Sequence, residues 1–510
     1  MAYWLALISG LLLALSFPRF GHPVFAWVAL VPLFAALGGA FEEPARVGVS
    51  PARAVRLGLV AGVVHFIGTI YWTGTVVQQF GGVPAPVALV AMLLLAAYMA
   101  LYPAVACWVT ARAVSRVGHA GLWLAAAPWV AGEFARGAFF GGFPWVPLGN
   151  SQVTVLPVAQ LASLTGVYGL SALVVLVNAG LTVALLGRGR QRAVAGLVTC
   201  ALLAATAGWG AWRLSAQSLV HAGEPVTVGL VQGDIRQDQK WHPGRAAEIL
   251  RTHLAMTREA AARGAELVLW PESSTPFMFE EDAVGADAVR SVVRDLRVPL
   301  LFGSDQIERG RVPRLFNSAF MLDEHGATRA VYRKMHLVPF GEYIPLKSWL
   351  FFVSPLVESL AEFAPGTATV LLPVGSHRIS TSICYEVVYP ELVRDAVDQG
   401  SELLTTITND AWYGDSSAPY QHFAMASMRA IEQGRYLVRA ANTGISGIVD
   451  PYGRVVVASG IFERTAVVGE ARYLSARTVY ATFGDAVAWA AVALTVAMAL
   501  LPARTPRPWN

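Results

Sequence analysis

Charged residues are scarce in this sequence, and cysteines are scarcer still. Only 14% of the 510 residues are Asp, Glu, Lys or Arg, 55% are hydrophobic, and the mean hydropathy is +0.50. Soluble globular proteins carry about 25% charged residues, so this composition argues against an ordinary soluble chain. Three cysteines are too few for a disulfide framework. The net charge of +4 is spread over short loops, which gives a nucleic-acid-binding role little support.

The few charges are concentrated in one part of the chain. They are sparse up to about residue 220, frequent from about 224 to 477, and almost absent from 481 to 501. A membrane-spanning helix needs roughly 20 mainly apolar residues. Eight stretches qualify: 2–17, 24–40, 57–77, 86–109, 121–135, 157–186, 193–214 and 481–501. We therefore predict a membrane domain with seven spans over 1–220, a soluble domain over 221–478, and an eighth span with a tail over 479–510.

Arginines between the apolar stretches indicate how the chain is oriented. They are concentrated in alternate loops and in the tail: Arg46, Arg53 and Arg56, then Arg112 and Arg116, then Arg188, Arg190 and Arg192, and finally Arg504 and Arg507. Loops rich in Lys and Arg stay on the cytoplasmic side of a membrane. In a bacterial inner membrane, both termini would therefore be cytoplasmic and the 221–478 domain periplasmic.

The soluble part alternates short β-rich runs with amphipathic helical stretches. Residues 226–232 (VTVGLVQ) and 267–270 (LVLW) are typical of strands, whereas 244–263 and 421–433 have helical periodicity. This alternation predicts an α/β domain in which helices cover a sheet. Functional residues in such domains gather at strand ends and in the loops that follow them.

Three reactive side chains follow predicted strands: Glu272 in W-P-E-S-S, Lys334 in Y-R-K-M-H, and Cys384 at the start of C-Y-E. A thiolate is a strong nucleophile, a carboxylate can take the thiol proton and return it, and an ammonium can hold an oxyanion. Because Glu272 directly follows an apolar strand, we expect desolvation to raise its pKa towards neutrality. Taken singly, each residue also has a structural interpretation, as core, surface or turn.

With its neighbouring residues, this region resembles the carbon–nitrogen hydrolase (nitrilase) superfamily, which has a Glu-Lys-Cys triad on an αββα sandwich. The resemblance implies that Glu272 is the general base and acid, Lys334 the oxyanion partner, and Cys384 the nucleophile. It also implies that Glu342, in P-F-G-E-Y, orients Lys334.

The whole chain, with its spans around such a domain, resembles the apolipoprotein N-acyltransferase family. The most specific blocks are W-P-E-S-S, R-K-M-H-L-V-P-F-G-E-Y-I-P, S-I-C-Y-E and T-N-D-A-W-Y-G-D-S-S-A-P-Y-Q-H. The resemblance implies that Cys384 takes the sn-1 acyl chain of a phospholipid as a thioester. It also implies that this acyl chain then passes to the N-terminal α-amino group of a diacylglyceryl-cysteine lipoprotein. It implies a membrane-embedded monomer without a cofactor.

Further residues near these motifs are candidates for supporting the site or binding substrate. Asn317, Tyr385 and Glu386 flank the triad elements and are expected to support them. An apolar stretch after Lys334 contains Phe351 and Phe352, which we interpret as a lid or arm that enters the outer leaflet. The remaining candidates for the acyl pocket or its rim are Trp241, Phe277 and Trp412.

Three other functions remain open at this stage. A membrane-anchored amidase or nitrilase would share the thioester but release the acyl group to water. A Cys-His-Asn site would pair Cys384 with His422 and Asn442. A transporter with a capture domain is disfavoured by the lack of an obvious internal repeat and by the few intramembrane ionisable residues. The scattered histidines predict no metal site.

Overall fold

The structure is a computed structural model that describes residues 1–40, 46–343, 362–500 and 507–508. The chain divides into two compact units, one formed by Met1–Ala216 with Phe483–Asn510 and the other by Gln217–Thr482.

The first unit is mainly helical. Its elements before the second unit are α1 (Ala2–Ala14), α2 (Val31–Leu37), β1 (Arg46–Val47), α3 (Pro51–Ile70), α4 (Trp72–Phe80), α5 (Ala85–Val117), α6 (Ala126–Ala138), α7 (Leu156–Ala159), α8 (Ala162–Leu186) and α9 (Gly189–Ala216). Short 3-10 helices lie at Pro23–Trp27, Gly118–Ala125, Phe139–Gly141 and Leu148–Gln152.

Small residues allow two of these helices to pack closely. Gly58 and Gly62 lie one turn apart on α3, and a Cβ at Gly58 would stand 2.6 Å from the Cα of Ala104 on α5. Such spacing of small residues is typical of helices that pack in a membrane.

Within the described residues, four helical segments are long and apolar enough to cross a membrane: Pro51–Ile70, Ala85–Gly141, Ala162–Leu186 and Gly189–Ala216. Three shorter apolar helical segments cover Ala2–Ala14, Pro23–Leu37 and Ala486–Leu500. Two predicted spans, 86–109 and 121–135, fall within Ala85–Gly141, where a 3-10 helix joins α5 to α6. All eight predicted stretches thus contain helix, but the number of crossings stays a prediction.

The second unit contains two six-stranded sheets. Its strands are β2 (Glu224–Gln232), β3 (Leu267–Leu269), β4 (Leu300–Glu308), β5 (Arg314–Leu322), β6 (Thr328–Arg333), β7 (Leu372–Val374), β8 (His377–Ile383), β9 (Leu403–Thr408), β10 (Leu437–Ala441), β11 (Gly447–Val449), β12 (Val455–Ala458) and β13 (Thr465–Tyr473). One sheet has the order β13-β2-β3-β4-β5-β6, and the other has the order β12-β11-β10-β9-β8-β7.

Helices cover the outer faces of these sheets. They are α10 (Ala246–Ala262), α11 (Ala283–Leu296), α12 (Pro390–Asp398) and α13 (Ala418–Gln433). The two faces of β2 contribute to different parts of the core. Val228 and Leu230 lie in the core between the sheets, whereas Val231 packs with α10 and α11. The α/β sandwich with two sheets agrees with the expected αββα arrangement.

The chain ends with α14 (Val479–Phe483), α15 (Ala486–Leu500) and β14 (Arg507–Pro508), which pairs antiparallel with β1.

Parallel pairing determines where the functional residues can meet. Strands β2, β3 and β4 are parallel in one sheet, and β8, β9 and β10 are parallel in the other. The carboxyl ends of parallel strands lie at one edge of a sheet, where the following loops can build a site. Glu272 follows β3 and Cys384 follows β8 at these edges.

Candidate active site

Glu272 is buried three residues beyond the end of β3, and both of its carboxylate oxygens accept hydrogen bonds. Oε1 accepts from Asn317 Nδ2 at 2.7 Å and from Lys334 Nζ at 3.3 Å. Oε2 accepts from the backbone N–H of Asn409, which follows β9, at 2.9 Å. The carboxylate is therefore fixed by groups from both sheets.

Lys334 directly follows β6, and its side chain is 1% exposed. Its ammonium donates to Glu272 Oε1 and also to Glu342 Oε1 at 2.8 Å. Asn317 Nδ2 bridges the two glutamates, at 3.0 Å from Glu342. Among the described residues, two of the three N–H donors of the ammonium are used in this way, which leaves one for a substrate oxygen.

Cys384 follows β8 and is the first residue of the 3-10 helix Cys384–Val388. Its φ of +53° lies in the left-handed region, which is costly for a residue with a Cβ. Strained backbone of this kind is often found where a side chain must be aimed from the end of a strand. The Cys384 side chain is buried, so the site must open or exchange its covering groups when substrate enters.

Glu386 ties the turn of Cys384 to the loop of Lys334. One carboxylate oxygen accepts from the backbone N–H groups of Met335 (2.7 Å) and His336 (3.1 Å) and from the hydroxyl of Tyr332 (2.8 Å). The other accepts from the backbone N–H of Ile383 at 2.7 Å. A single buried carboxylate thus connects the end of β6 with the end of β8.

The charges of the site oppose the effect of burial. Burial raises the pKa of Glu272, but the ammonium groups of Lys334 and Lys240 and the hydrogen bond from Asn317 outweigh it and hold the pKa below its usual value. The expectation of a raised pKa for Glu272 is therefore wrong. Burial lowers the pKa of Lys334, yet Glu342 and Glu272 more than compensate and raise it.

For the thiol of Cys384, the effect of burial on the pKa is larger than that of the neighbouring ammonium. Burial raises its pKa to about 12, the Glu272 carboxylate adds to the effect, and Lys334 opposes it. At neutral pH the resting site therefore contains a thiol, a carboxylate and an ammonium. In this state the carboxylate is ready to accept a proton at the moment when the sulfur attacks.

The other expected residues have different surroundings. Tyr385 is buried with its ring 5.3 Å from that of Tyr389 and 6.1 Å from that of His336. Trp241 is 46% exposed, Phe277 packs against the core beneath α11, and Trp412 is half-buried in the 3-10 helix Asp410–Tyr413. Phe351 and Phe352 lie outside the described residues. A role in binding substrate stays a prediction for all five of these aromatic residues other than Tyr385.

The alternative Cys-His-Asn arrangement is not the one that forms. His422 Nε2 lies 3.2 Å from the backbone carbonyl of Cys384, and Nδ1 lies 3.1 Å from Asp410 Oδ1. Asn442 binds both backbone polar groups of Ile235 and the side chain of Asn409. His422 therefore contacts the turn that holds Cys384, and Asn442 holds neighbouring loops together.

Several residues of the site were not predicted from the sequence. They are Lys240, which donates to the backbone carbonyl of Glu272 at 3.0 Å, Asp305, which accepts from Ser273 at 2.9 Å, and Arg439, which forms a buried ion pair with Asp410 of the T-N-D-A-W-Y-G-D block. Lys240 directly precedes Trp241, a candidate for the acyl pocket, but a lysine in a loop has no local signal of burial. In the part of the chain that the structure describes, no group of three or more His, Cys, Asp or Glu residues could hold a metal ion.

Two family models and a solved structure are similar to parts of this chain. The family model for the apolipoprotein N-acyltransferase N-terminal domain matches residues 9–180, and that for carbon–nitrogen hydrolases matches residues 227–477. An amidase of the nitrilase superfamily from Nesterenkonia, a solved structure, aligns with 49% of this chain and 92% of its own, at 23% identity and a TM-score of 0.39.

Relatives of known function match nearly the whole chain. An apolipoprotein N-acyltransferase from Geobacter metallireducens is 38% identical over 98% of this chain and 95% of its own. The corresponding protein of Methylococcus capsulatus is 35% identical over 97% of this chain and 94% of its own. With both domains present and the similarity covering almost every residue, the chain belongs to the apolipoprotein N-acyltransferase family, the acyltransferases of the carbon–nitrogen hydrolase superfamily.

Proposed function

We propose that Cys384 carries the acyl chain as a thioester between a phospholipid and a lipoprotein. The observation that supports this proposal best is the convergence of Glu272, Lys334 and Glu342, with Glu386 linking the loop of Lys334 to the turn of Cys384. This convergence supplies a base, a fixed cation and a nucleophile in one buried site.

In the first half-reaction, the Glu272 carboxylate takes the proton of the Cys384 thiol as sulfur attacks the sn-1 ester carbonyl. Lys334 donates a hydrogen bond to the oxyanion of the tetrahedral intermediate. When the ester C–O bond breaks, Glu272 returns the proton to the departing oxygen. The products are a lysophospholipid and the acyl thioester.

In the second half-reaction, the α-amino group of a diacylglyceryl-cysteine lipoprotein attacks the thioester carbonyl. Glu272 accepts a proton from the attacking nitrogen and returns it to the sulfur when the C–S bond breaks. An amide is formed and the Cys384 thiol is restored. Glu342 holds Lys334 in place throughout, through its contact at 2.8 Å.

Membrane placement accounts for how both substrates reach the site. We propose eight spans, with the 221–478 domain on the periplasmic side of the bacterial inner membrane and both termini in the cytoplasm. Each substrate has acyl chains in the bilayer, so an anchored domain receives it by lateral diffusion and gains from proximity. The chain would work as a monomer without a cofactor.

Mass spectrometry of the purified protein after incubation with phospholipid tests this proposal. We expect one acyl chain on the peptide that contains Cys384, and none on that peptide in Cys384→Ala. Labelling the sn-1 and sn-2 chains differently identifies the ester that is attacked. An unmodified Cys384 peptide in active protein would contradict the thioester.

The fate of the thioester separates acyl transfer from hydrolysis. We expect the adduct to persist in buffer and to disappear when a diacylglyceryl lipopeptide with a free α-amino group is added, with the acyl chain recovered on nitrogen. The same lipopeptide with an acetylated amine is the matched control. Equal loss of the adduct with both peptides would indicate an amidase-like hydrolase.

A further inference from the structure

Lys240 is a second buried lysine next to the candidate active site, and the reaction described above does not use it. It lies between β2 and α10, is 4% exposed, and donates from Nζ to the backbone carbonyl of Glu272 at 3.0 Å. The contact is to the main chain, so the carboxylate oxygens of Glu272 remain with Asn317, Lys334 and Asn409. Lys240 can therefore act on Glu272 without occupying its reactive atoms.

Lys240 is closely surrounded by other residues. Together with His253, Glu272 and Asn442 it lines a cavity of about 10 Å³, which is room for about one water molecule. A charge in such a place is poorly screened, so its effect on neighbouring ionisable groups is larger than at the surface.

The charged and titratable groups that face this region come from several elements. Glu272, Asp305 on β4 and Cys384 interact with Lys240. In turn, Lys334, Glu342, Asp410 and Tyr413 interact with these groups. Burial lowers the pKa of His253, on α10, to about 4, so this ring is neutral. Burial raises the pKa of Asp305 to about 6, so this carboxylate is ionised at neutral pH.

Burial lowers the pKa of Lys240 to about 8, and the negative charges of Glu272 and Asp305 limit this decrease. The side chain is therefore mostly protonated at pH 7. Its ammonium favours the ionised forms of both Glu272 and Cys384. Asp305 has the opposite influence, because its carboxylate raises the pKa of a neighbouring acid.

We propose that Lys240 is a positioning residue of the acyl transfer: its buried ammonium orients the Glu272 segment through the backbone carbonyl and favours the ionised form of the Glu272 side chain, the general base. The carboxylate of Asp305 opposes this effect of the Lys240 ammonium on Glu272. This inference rests on the proposed function, and it assigns to the chain a second active-site cation besides Lys334.

Two substitutions separate the charge of Lys240 from its hydrogen bond. Lys240→Gln keeps an N–H donor for the Glu272 carbonyl but has no charge, whereas Lys240→Met has neither. Asp305→Asn removes the opposing charge and retains an acceptor for Ser273. Arg236→Met is the matched control, because Arg236 is in the same loop and its side chain is 72% exposed.

Two pH profiles are measured with the full-length protein in detergent. The first is the rate of acyl-enzyme formation with a phospholipid that carries different acyl chains at sn-1 and sn-2. The second is the alkylation of Cys384 by iodoacetamide, which needs no acyl donor. A Cys200→Ser background avoids competing reaction at the exposed Cys200.

We expect both Lys240 variants to move the acid limb of the first profile up by about one pH unit, and to slow alkylation at pH 7 about tenfold. Asp305→Asn should speed alkylation at pH 7, where Asp305 is ionised, and should leave the acid limb in place, because Asp305 is already protonated below its pKa of about 6. Arg236→Met should leave both profiles unchanged. If Lys240→Met does not fold, as judged by thermal unfolding, Lys240→Gln and Asp305→Asn still decide the result.

Unchanged pH profiles in both Lys240 variants would overturn the inference. So would a slower Lys240→Met enzyme whose rate Lys240→Gln restores without any shift in pH, because only the hydrogen bond would then matter. A protein whose Cys384 is alkylated in a Lys240-dependent way but never acquires an acyl chain would contradict the proposed function and leave the electrostatic role of Lys240 in place.

Discussion

Glu272 and Lys334 stay charged in a buried site because each stabilises the other. An isolated carboxylate or ammonium would lose its charge on burial. Lys334 and Lys240 reverse that outcome for Glu272, and Glu342 and Glu272 reverse it for Lys334. The sequence predicted these two residues in one site, and the structure places their charged groups in contact at 3.3 Å. The sequence predicted a raised pKa for Glu272, but the pKa is lowered. The preceding apolar strand indicates desolvation, whereas the opposing charge of Lys334 comes from 62 residues away and is not visible in the local sequence.

The pH dependence of acyl-enzyme formation follows from the lowered pKa of Glu272. The proposed mechanism needs Glu272 ionised, and the pKa of this side chain lies below the usual 4.5. We therefore expect the rate to stay constant through the neutral range and to fall only below about pH 4.5, when Glu272 gains a proton. Stopped reactions at a series of pH values measure this, with thermal unfolding recorded at each pH.

Glu272→Gln should lower the rate by about 10² to 10⁴-fold and remove the acid limb. Glu259→Gln is the matched control, since that side chain is 56% exposed on α10. An acid limb near neutral pH in the unmodified enzyme would show that burial prevails over the two lysines.

Glu386 offers a second test at the scale of one residue. Its carboxylate accepts four hydrogen bonds, three from backbone N–H groups and one from Tyr332. In Glu386→Gln the amide NH₂ must face donors, so we expect the free energy of unfolding to fall by about 3 kcal/mol. The midpoint of thermal unfolding measures the loss, with Glu470→Gln, a 59% exposed side chain, as the control. If Glu386→Gln unfolded at the same midpoint as the unmodified protein, the hydrogen bonds of Glu386 between the two loops would not contribute to stability.

At the scale of elements, strand ends position the candidate site. Glu272 and Cys384 follow strands β3 and β8 of different sheets, and Lys334 follows β6. These three placements were predictable, because short apolar runs that end at a polar residue are visible in the sequence. The turn at Cys384 was not, since a φ of +53° at a cysteine has no sequence signature.

Gly303 on β4 shows how tightly neighbouring strands determine the position of Glu272. A Cβ at residue 303 would stand 2.6 Å from the Cα of Glu272 and would also meet the backbone nitrogen of Ser273. We expect Gly303→Ala to displace Glu272 and to slow acyl-enzyme formation by about 10²-fold. Single-turnover acylation measures the change.

Gly310→Ala is the matched control for this substitution. The nearest atom to a Cβ at residue 310 is the backbone oxygen of Val312, at 3.8 Å, so a methyl group meets ordinary contacts there. We expect its acylation rate to equal that of the unmodified enzyme. If Gly303→Ala also acylated at that rate, the close approach of β4 to Glu272 would have no bearing on catalysis.

At the scale of the whole molecule, the alternation of arginine-rich and arginine-poor loops predicts the topology. Arg190 is the second residue of α9, in the arginine-rich stretch 188–192, and Arg311 lies in the exposed turn between β4 and β5. In a Cys200→Ser background, we expect a membrane-impermeant maleimide to label Arg311→Cys in intact spheroplasts. Arg190→Cys should react only in inverted vesicles or after permeabilisation.

The reverse labelling pattern would place the candidate site on the cytoplasmic side and would contradict the periplasmic assignment. Labelling of both cysteines in intact spheroplasts would contradict the predicted number of spans. Detergent-solubilised protein, in which both cysteines should react, shows that each introduced thiol is accessible.

The sequence by itself determined the division into apolar helices and an α/β domain, the membership of the family, and the three residues at strand ends. These properties depend on composition, short-range periodicity and local motifs, which a linear sequence displays directly. Only the tertiary structure decided the lowered pKa of Glu272, the contact of His422 with the Cys384 carbonyl, and the burial of Lys240 behind Glu272. It also decided that β13 pairs with β2, more than 200 residues earlier in the chain. Each of these depends on distances between atoms that are far apart in sequence, and folding alone brings those atoms together.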